Sequence, residues 1–438
     1  MLGGMSDSSR KPPLGRLARL GKVAELSVRS STGLAVRAIR KAVGAETGQA
    51  DRSTLEHLTR VLGEMKGAAM KLGQALSMEA DMLPPELRDI IARLQHEAPA
   101  LPPEAIREVI ERELGAPPER LFAEFSREPL AAASLGQVHA ARLEDGREVV
   151  VKVQYPGIAE AIESDFDNLA VFARAAGMAT RLLDGRRYVE ELRREIARET
   201  DYLLEAESAR RFHRLLASEK DLLVPEPILE RSTHRVLCLT RVHGRTLRQF
   251  LDTQPEAQAR WRVSDQLLRA AYLPFFNGSL LHADPHPGNY LVTEDGRLAL
   301  LDFGCVKAFR PELVELTRTF MLNMTLGQPH DVLAGVRAWG FEVDTDEASA
   351  RRLLEEIVAI SVRPLRTADY DFARDTLVSD MRELGLRRVK DFLRIRPPAE
   401  AVMLGRAVGG CTHNLRALGA RGDFRGAFLR LLRGTAVA

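Results

Sequence analysis

Apolar residues recur at helical spacing over much of this chain, and β-branched runs interrupt them at a few places. From about Ser53 to Glu97 the pattern predicts helix, broken at Asp81-Met82-Leu83-Pro84-Pro85-Glu86, where the paired prolines suit the start of the next helix. Leu101-Pro102-Pro103-Glu104 opens another, to about Leu114. From Phe125 to Val153 the character turns to strand, with Val138, Val149, Val150, Val151 and Val153 as β-branched positions and Glu144-Asp145-Gly146-Arg147 as a hairpin turn. A long helix is predicted from about Val189 to Leu216, its core stripe Val189, Leu192, Ile196, Thr200 and Leu203. A short β-patch follows at Arg235 to Val242. After Leu247 the pattern is helical except for one hairpin, Tyr290-Leu291-Val292 and Leu298-Ala299-Leu300-Leu301 about the turn Thr293-Glu294-Asp295-Gly296. This order predicts an α+β protein with a small β-containing lobe joined to a larger helical one.

Composition narrows the class only a little. A chain of 438 residues holds two or three domains, or one two-lobed enzyme with an extension. A formal net charge of +2 gives no sign of a nucleic-acid partner. The three cysteines, Cys238, Cys305 and Cys411, are scattered, which fits a reducing compartment and no zinc spacing. No stretch approaches the roughly 18–20 apolar residues of a spanning helix, and arginines interrupt the N-terminal apolar residues as no secretory signal would. The expectation is a cytoplasmic protein. Residues 1–50 are basic, with Leu17, Leu20, Ala24 and Val28 at helical spacing. Two readings stay open for them: a segment lying on an anionic membrane surface, or a disordered basic leader before an ordinary amphipathic helix.

The chemistry is concentrated in His282-Ala283-Asp284-Pro285-His286-Pro287-Gly288-Asn289 and in Leu301-Asp302-Phe303-Gly304. Phosphoryl transfer of the kinase type needs one carboxylate near the attacking hydroxyl, and an amide oxygen and a second carboxylate to hold magnesium on the phosphates. Asp284, Asn289 and Asp302 offer that set, with Asn289 and Asp302 flanking the predicted hairpin. Upstream, Ala131-Ala132-Ala133-Ser134-Leu135-Gly136 lies between strand-like segments, and its small side chains would let backbone N–H groups approach a phosphate. It is neither a Walker loop nor a glycine-rich kinase loop. Lys152 interrupts the apolar run Val149–Val153, so it must reach a partner or snorkel out. The partner would be a helix carboxylate. Periodicity does not choose among Glu199, Asp201, Glu205 and their neighbours, although Asp201 and Glu205 would share a face of an unbroken helix.

Taken together these residues resemble the UbiB family of atypical kinase-like proteins, also called AarF-type, from about Leu58 to beyond Arg406. Lys71-Leu72-Gly73-Gln74 is similar to the family's K-x-G-Q motif, Ala131–Ser134 to its alanine-rich loop, and Glu199-Thr200-Asp201 to its E-x-D motif. The branch it most resembles is linked to coenzyme Q biosynthesis. The resemblance implies a protein-kinase-like two-lobed fold with an N-terminal helical extension. Its parts would be a leader at 1–50, the K-x-G-Q extension at 51–120, an N-lobe with inserted helices at 121–242 and a helical C-lobe at 243–438. It implies Mg-ATP as cofactor, with ATPase or restrained kinase activity supporting ubiquinone biosynthesis at a membrane. Ser134 and Lys152 would contact the nucleotide, and Thr240, Arg241 and Val242 would form the hinge beside adenine. Glu205 would pair with Lys152, Asp284 would be the catalytic aspartate, and Asn289 and Asp302 would hold Mg2+. Lys71, Gly73 and Gln74 would lie over the site, with Lys71 near Glu199. Implied partners are ATP, an anionic membrane surface on the inner face of a bacterial membrane, and quinone-precursor lipids or quinone-biosynthesis proteins, with a homodimer left open.

Two departures from ordinary kinases stand out. Ala283 replaces the arginine of His-Arg-Asp, and no Ala-Pro-Glu segment follows Asp-Phe-Gly, so control by an activation-loop phosphate and a peptide-docking platform are not expected. Two rival functions are a small-molecule kinase of aminoglycoside or choline type and a non-catalytic ATP-gated lipid-binding scaffold.

Overall fold

The computed structural model describes residues 102–133, 135–158, 160, 198 and 200–433. Nearly all of them fall in one of the chain's two compact units, Pro99–Pro156 with Arg198–Ala438. The leader, the helices expected before residue 98, Lys71, Gly73, Gln74, Ser134 and Glu199 lie outside the described residues.

Helix α1 (Pro103–Leu114) starts on a proline and ends on Gly115 in the left-handed conformation. Ile106, Val109 and Ile110 form its buried face, at the i, i+3, i+4 spacing that one side of a helix provides. That face packs on a four-stranded antiparallel sheet of order β1 (Glu124–Ala133), β2 (Gly136–Arg142), β3 (Glu148–Gln154) and β5 (Val236–Thr240). Strand parity then decides what each side of the sheet carries. Val149, Val151 and Val153 point toward α1 and are fully buried. Val150 and Lys152 therefore point to the opposite face, beside Leu239 and Leu237 of β5.

Helix α2 (Tyr202–Leu215) covers that opposite face through Tyr202 and Ala206. The continuous helix expected from Val189 to Leu216 is corrected here. Asp201 has extended backbone angles and caps a new helix, its side chain accepting the Leu203 N–H. The buried stripe is Tyr202, Glu205, Ala206, Ala209 and Phe212, and Leu203 is only half-buried. The shared face of Asp201 and Glu205 consequently does not exist, because Asp201 precedes the helix. The alanine-rich segment also differs from a loop. Ala131, Ala132 and Ala133 are strand residues paired with Val138, Gln137 and Gly136. A side chain at Gly136 would overlap the Val153 carbonyl, so this hairpin arm lies directly on β3.

From β5 the chain passes through Arg241–Gly244 into the second sheet, of order β4 (Leu222–Leu223), β9 (Leu298–Leu300), β8 (Tyr290–Val292) and β6 (Arg245–Thr246). A Cβ on Gly244 would lie 2.8 Å from the Val292 carbonyl oxygen, which keeps this link flush against β8. The β8–β9 hairpin has the predicted extent almost to the residue, with Tyr290 opposite Leu300. The long helix α3 (Ala257–Gly278) buries Val263, Leu267, Phe275 and Phe276 in the main core. It leads into β7 (Leu280–His282), which pairs with β10 (Val306–Ala308) just before α4 (Pro311–Leu326). Shorter helices between Val332 and Phe392 form a satellite around Val332, Leu333, Ala350 and Leu354.

Two late helices return to the main core. α5 (Ala399–Ala417) buries Met403, Ala407 and Cys411 at four-residue intervals, and α6 (Phe424–Arg433) buries Phe424, Ala427, Phe428, Leu431 and Leu432. The Phe424 ring packs edge-on against Trp261 and Phe372, with centroids 5.0 and 4.8 Å apart. Among the described residues no helix is long and apolar enough to cross a membrane.

Candidate active site

Lys152 sits on an interior strand, between Val138 of β2 and Leu237 of β5. It has no route to the sheet edge, and its side chain is only 12 % exposed. Its ammonium donates to both Glu205 carboxylate oxygens, at 3.0 and 2.9 Å, and to Asp302 Oδ2 at 3.3 Å. The Tyr202 ring lies 5.0 Å away and adds a cation–π contact. Burial works against the Lys152 charge, but Asp302 and Glu205 outweigh it and hold the pKa well above the usual lysine value. Burial pushes the Glu205 carboxyl up to about 7, against the lowering effect of Lys152. Of the described carboxylates among those left open by the sequence, Glu205 is the one that meets the lysine. Asp201 instead binds the Leu203 N–H and His234 Nδ1, at 3.0 and 2.9 Å.

The Asp302 segment is fixed from below. His282 Nε2–H donates to the Asp302 carbonyl at 2.6 Å, and Asp302 Oδ1 accepts the Gly304 N–H at 2.9 Å. Phe303 is fully buried, its ring 5.3 Å from Phe212 of α2 and 5.8 Å from His282. This three-ring cluster ties α2, β7 and the Asp302 loop together, so the helix bearing Glu205 and the loop bearing Asp302 share one support.

Asn289 and Asp302 come together because the hairpin ladder runs one step past β8 and β9, where Leu301 N–H donates to the Asn289 carbonyl at 3.0 Å. Asn289 Nδ2 donates to Asp284 Oδ2 and to the Asp284 carbonyl, both at 3.0 Å. With its donors committed to Asp284, the atom this amide can offer a cation is Oδ1. Asp284 and Asp302 are further laced by the Ala283 N–H to Cys305 carbonyl bond of 2.9 Å.

Whether these residues suit Mg-ATP follows from the donors they present. Among the described residues no group of three His, Cys, Asp or Glu forms a metal cage. One amide oxygen and one carboxylate suit a magnesium ion that completes its octahedron with phosphate oxygens and water. Lys152, held between two carboxylates, suits the phosphates themselves. The set therefore fits the group. Thr240, Arg241 and Val242 lie where the chain passes from the first sheet to the second, with Arg241 N–H bonded to the Glu148 carbonyl at 3.0 Å and Thr240 Oγ1 accepting the Glu226 N–H at 2.8 Å.

Two residues that the sequence left without a role join the site from α5. Arg406 Nη2 lies 3.5 Å from Asp284 Oδ1, and Asn414 Nδ2 donates to the Pro285 carbonyl at 2.8 Å. Nothing local in the sequence marks them, since each meets the loop across a long separation in the chain.

Comparison with known proteins places this arrangement. The ABC1 atypical kinase-like domain matches residues 93–334. The mitochondrial atypical kinase COQ8B of Rattus norvegicus is 33 % identical over 408 residues, which cover 90 % of this chain and 76 % of the relative. COQ8 of Saccharomyces cerevisiae is 29 % identical over 363 residues, 82 % and 72 % of the two chains. A chloroplastic aarF domain-containing protein kinase of Arabidopsis thaliana is 40 % identical over 258 residues, which cover 58 % of this chain and 36 % of that relative. The chain likewise spans about half the length of coq-8 of Caenorhabditis elegans, the matched share being 48 %. Among solved structures, Rv3197 of Mycobacterium tuberculosis, determined with erythromycin, superposes with a TM-score of 0.63 at 25 % identity, over 87 % of this chain and 96 % of that one. With a kinase-like mixed helix-and-sheet fold and a match over more than half its length, this chain belongs to the ABC1 atypical kinase-like family, the UbiB/AarF group.

Proposed function

We propose that this protein is an atypical kinase or ATPase that binds Mg-ATP and supports coenzyme Q biosynthesis. The observation that carries the reading is the Lys152 ammonium held between Glu205 and Asp302, at the end of a hairpin where Asn289 also stands and bonds Asp284. Lys152 would grip the phosphates, its orientation fixed by Glu205. Asn289 and Asp302 would hold the magnesium ion, which supplies charge neutralisation for the phosphoryl group in flight. Asp284 would orient a water or hydroxyl for in-line attack and accept its proton. Thr240–Val242 would receive the adenine edge, and Ala131–Ser134 would cover the phosphates. The domain limits given above belong to this proposal; helix α1, assigned there to the extension, packs on the first sheet.

Catalysis of this kind is mostly positioning and charge stabilisation, so it tolerates little change at the acidic groups. Asp284→Asn and Asp302→Asn are expected to lower ATP turnover by about a hundredfold or more while melting like the parent. Normal turnover in both variants sinks the assignment. ATP binding with no turnover in the parent selects the gated scaffold, and phosphate appearing on an amino alcohol or a prenylated phenol selects the small-molecule kinase. The pathway is tested separately, by deleting the gene and measuring cellular quinones and their precursors. Unchanged quinones would remove the coenzyme Q assignment and leave the site chemistry standing. Partners that follow from the reading are an anionic membrane surface and quinone-precursor lipids.

A further inference from the structure

The loop that carries Asp284 has no lysine or arginine between His282 and Asn289, because Ala283 stands beside the aspartate. His286 does not serve instead, since its Nδ1 accepts the Gly288 N–H of its own turn at 3.1 Å. Among the described residues, a cation reaches Asp284 from another element, the helix α5. Arg406 Nη2 stands 3.5 Å from Asp284 Oδ1, with the two side chains 23 % and 27 % exposed. The other carboxylate oxygen, Oδ2, accepts from Asn289 Nδ2 at 3.0 Å. Asp284 thus has a hydrogen bond at one oxygen and an ion pair at the other, from two different parts of the chain.

The helix bearing Arg406 is not loosely placed. Met403, Ala407 and Cys411 anchor it in the main core, and the buried Asn414 bonds the Pro285 carbonyl next to Asp284. The backbone that carries the guanidinium is thereby fixed relative to the Asp284 loop. The site around it holds the carboxylates of Asp284, Asp302 and Glu205, so a cation beside the aspartate offsets charge where it accumulates.

We propose that Arg406 is a positioning residue for the reaction: it fixes the orientation of the Asp284 carboxylate from outside the catalytic loop. This inference rests on the proposed role of Asp284. A small rotation of that carboxylate misaligns the attacking oxygen, and errors of about 1 Å in such groups cost on the order of a hundredfold in rate. The effect belongs in the catalytic step rather than in nucleotide affinity, because Arg406 meets Asp284 and Lys152 is held by different residues.

The test is steady-state ATP turnover of Arg406→Gln, Arg406→Lys, Asp284→Asn and the Arg406→Gln/Asp284→Asn double variant, with melting temperature and affinity for a fluorescent ATP analogue measured on each. Arg406→Gln should lower kcat about tenfold or more with KM for ATP within about threefold, and Arg406→Lys should recover part of the loss. On the Asp284→Asn background Arg406→Gln should change the residual turnover no further, since its effect passes through the missing carboxylate. Full kcat in Arg406→Gln overturns the inference, as does a loss that adds undiminished to that of Asp284→Asn. Full turnover in Asp284→Asn itself would instead defeat the role proposed for Asp284, on which this inference rests. A slow Asp284→Asn beside an unimpaired Arg406→Gln defeats the role of Arg406 alone.

Discussion

At the scale of single residues, the buried charge cluster sets a pH dependence with a definite sign. Glu205 titrates near 7 in the folded chain and near 4.5 when free of its surroundings. Between those values the folded chain holds a proton that the unfolded chain has released, so this group's contribution to stability is largest below about 4.5 and declines as pH rises toward 7. Glu205→Gln has no such titration. Raising pH from 5 to 7.5 should therefore shift the melting-temperature gap between variant and parent in the variant's favour, and a gap that stays constant contradicts the assignment. Much of this cluster was readable in advance. Lys152 declared itself by breaking a run of valines, and Asp284, Asn289 and Asp302 by their short mutual spacing. Its lysine partner was not readable from pattern alone, because several carboxylates surround Glu205 and only the third dimension shows which one faces β3.

Among the elements, the beginning of α2 shows where periodicity misled. A helical repeat can be drawn through Val189–Leu216, but Asp201 offers its carboxylate to the Leu203 N–H and starts the helix afresh. The signal was present in the sequence, an aspartate immediately before an apolar run, and it outweighs the repeat because an N-terminal N–H left unpaired is costly. Asp201→Ala should cost about 1 kcal/mol of stability from the lost cap, read as a lower denaturant midpoint. Some further loss should come from the His234 contact. The alanine hairpin makes a second prediction. Because Gly136 lies against the Val153 carbonyl, Gly136→Ala should push β2 off β3. The expected result is a drop of about 1–3 kcal/mol together with weaker nucleotide binding, since Lys152 pairs with Val138 across the same ladder. Parent-like stability would show that the sheet yields at no cost. The β8–β9 hairpin, by contrast, was legible almost to the residue, because its turn chemistry and its strands are both local.

For the molecule as a whole, the larger core is closed by helices that come last in the chain. Removing the residues from Phe424 onward would strip Phe424, Ala427, Phe428, Leu431 and Leu432 from the main core, and such a truncation is expected to be insoluble or to melt far below the parent. A subtler change, Asn414→Ala, should leave the fold intact at a cost of about 1–3 kcal/mol, while lowering kcat through a loosened Pro285. Equal kcat in a folded Asn414→Ala would show that the loop holds itself. The mixed helix-and-sheet architecture was evident from the order of strands and helices, whereas the docking of α5 on the Asp284 loop was not. That contact spans 129 residues, and no periodicity carries information over such a distance. The same contact bears on how the protein is made. A chain emerging from the ribosome displays Lys152, Glu205, Asp284 and Asp302 well before Arg406 and Asn414 exist, so the segments of the candidate site wait on late-made helices for the core they pack against. The order of synthesis thus puts the completion of the site near the end of folding, when α5 docks on the Asp284 loop.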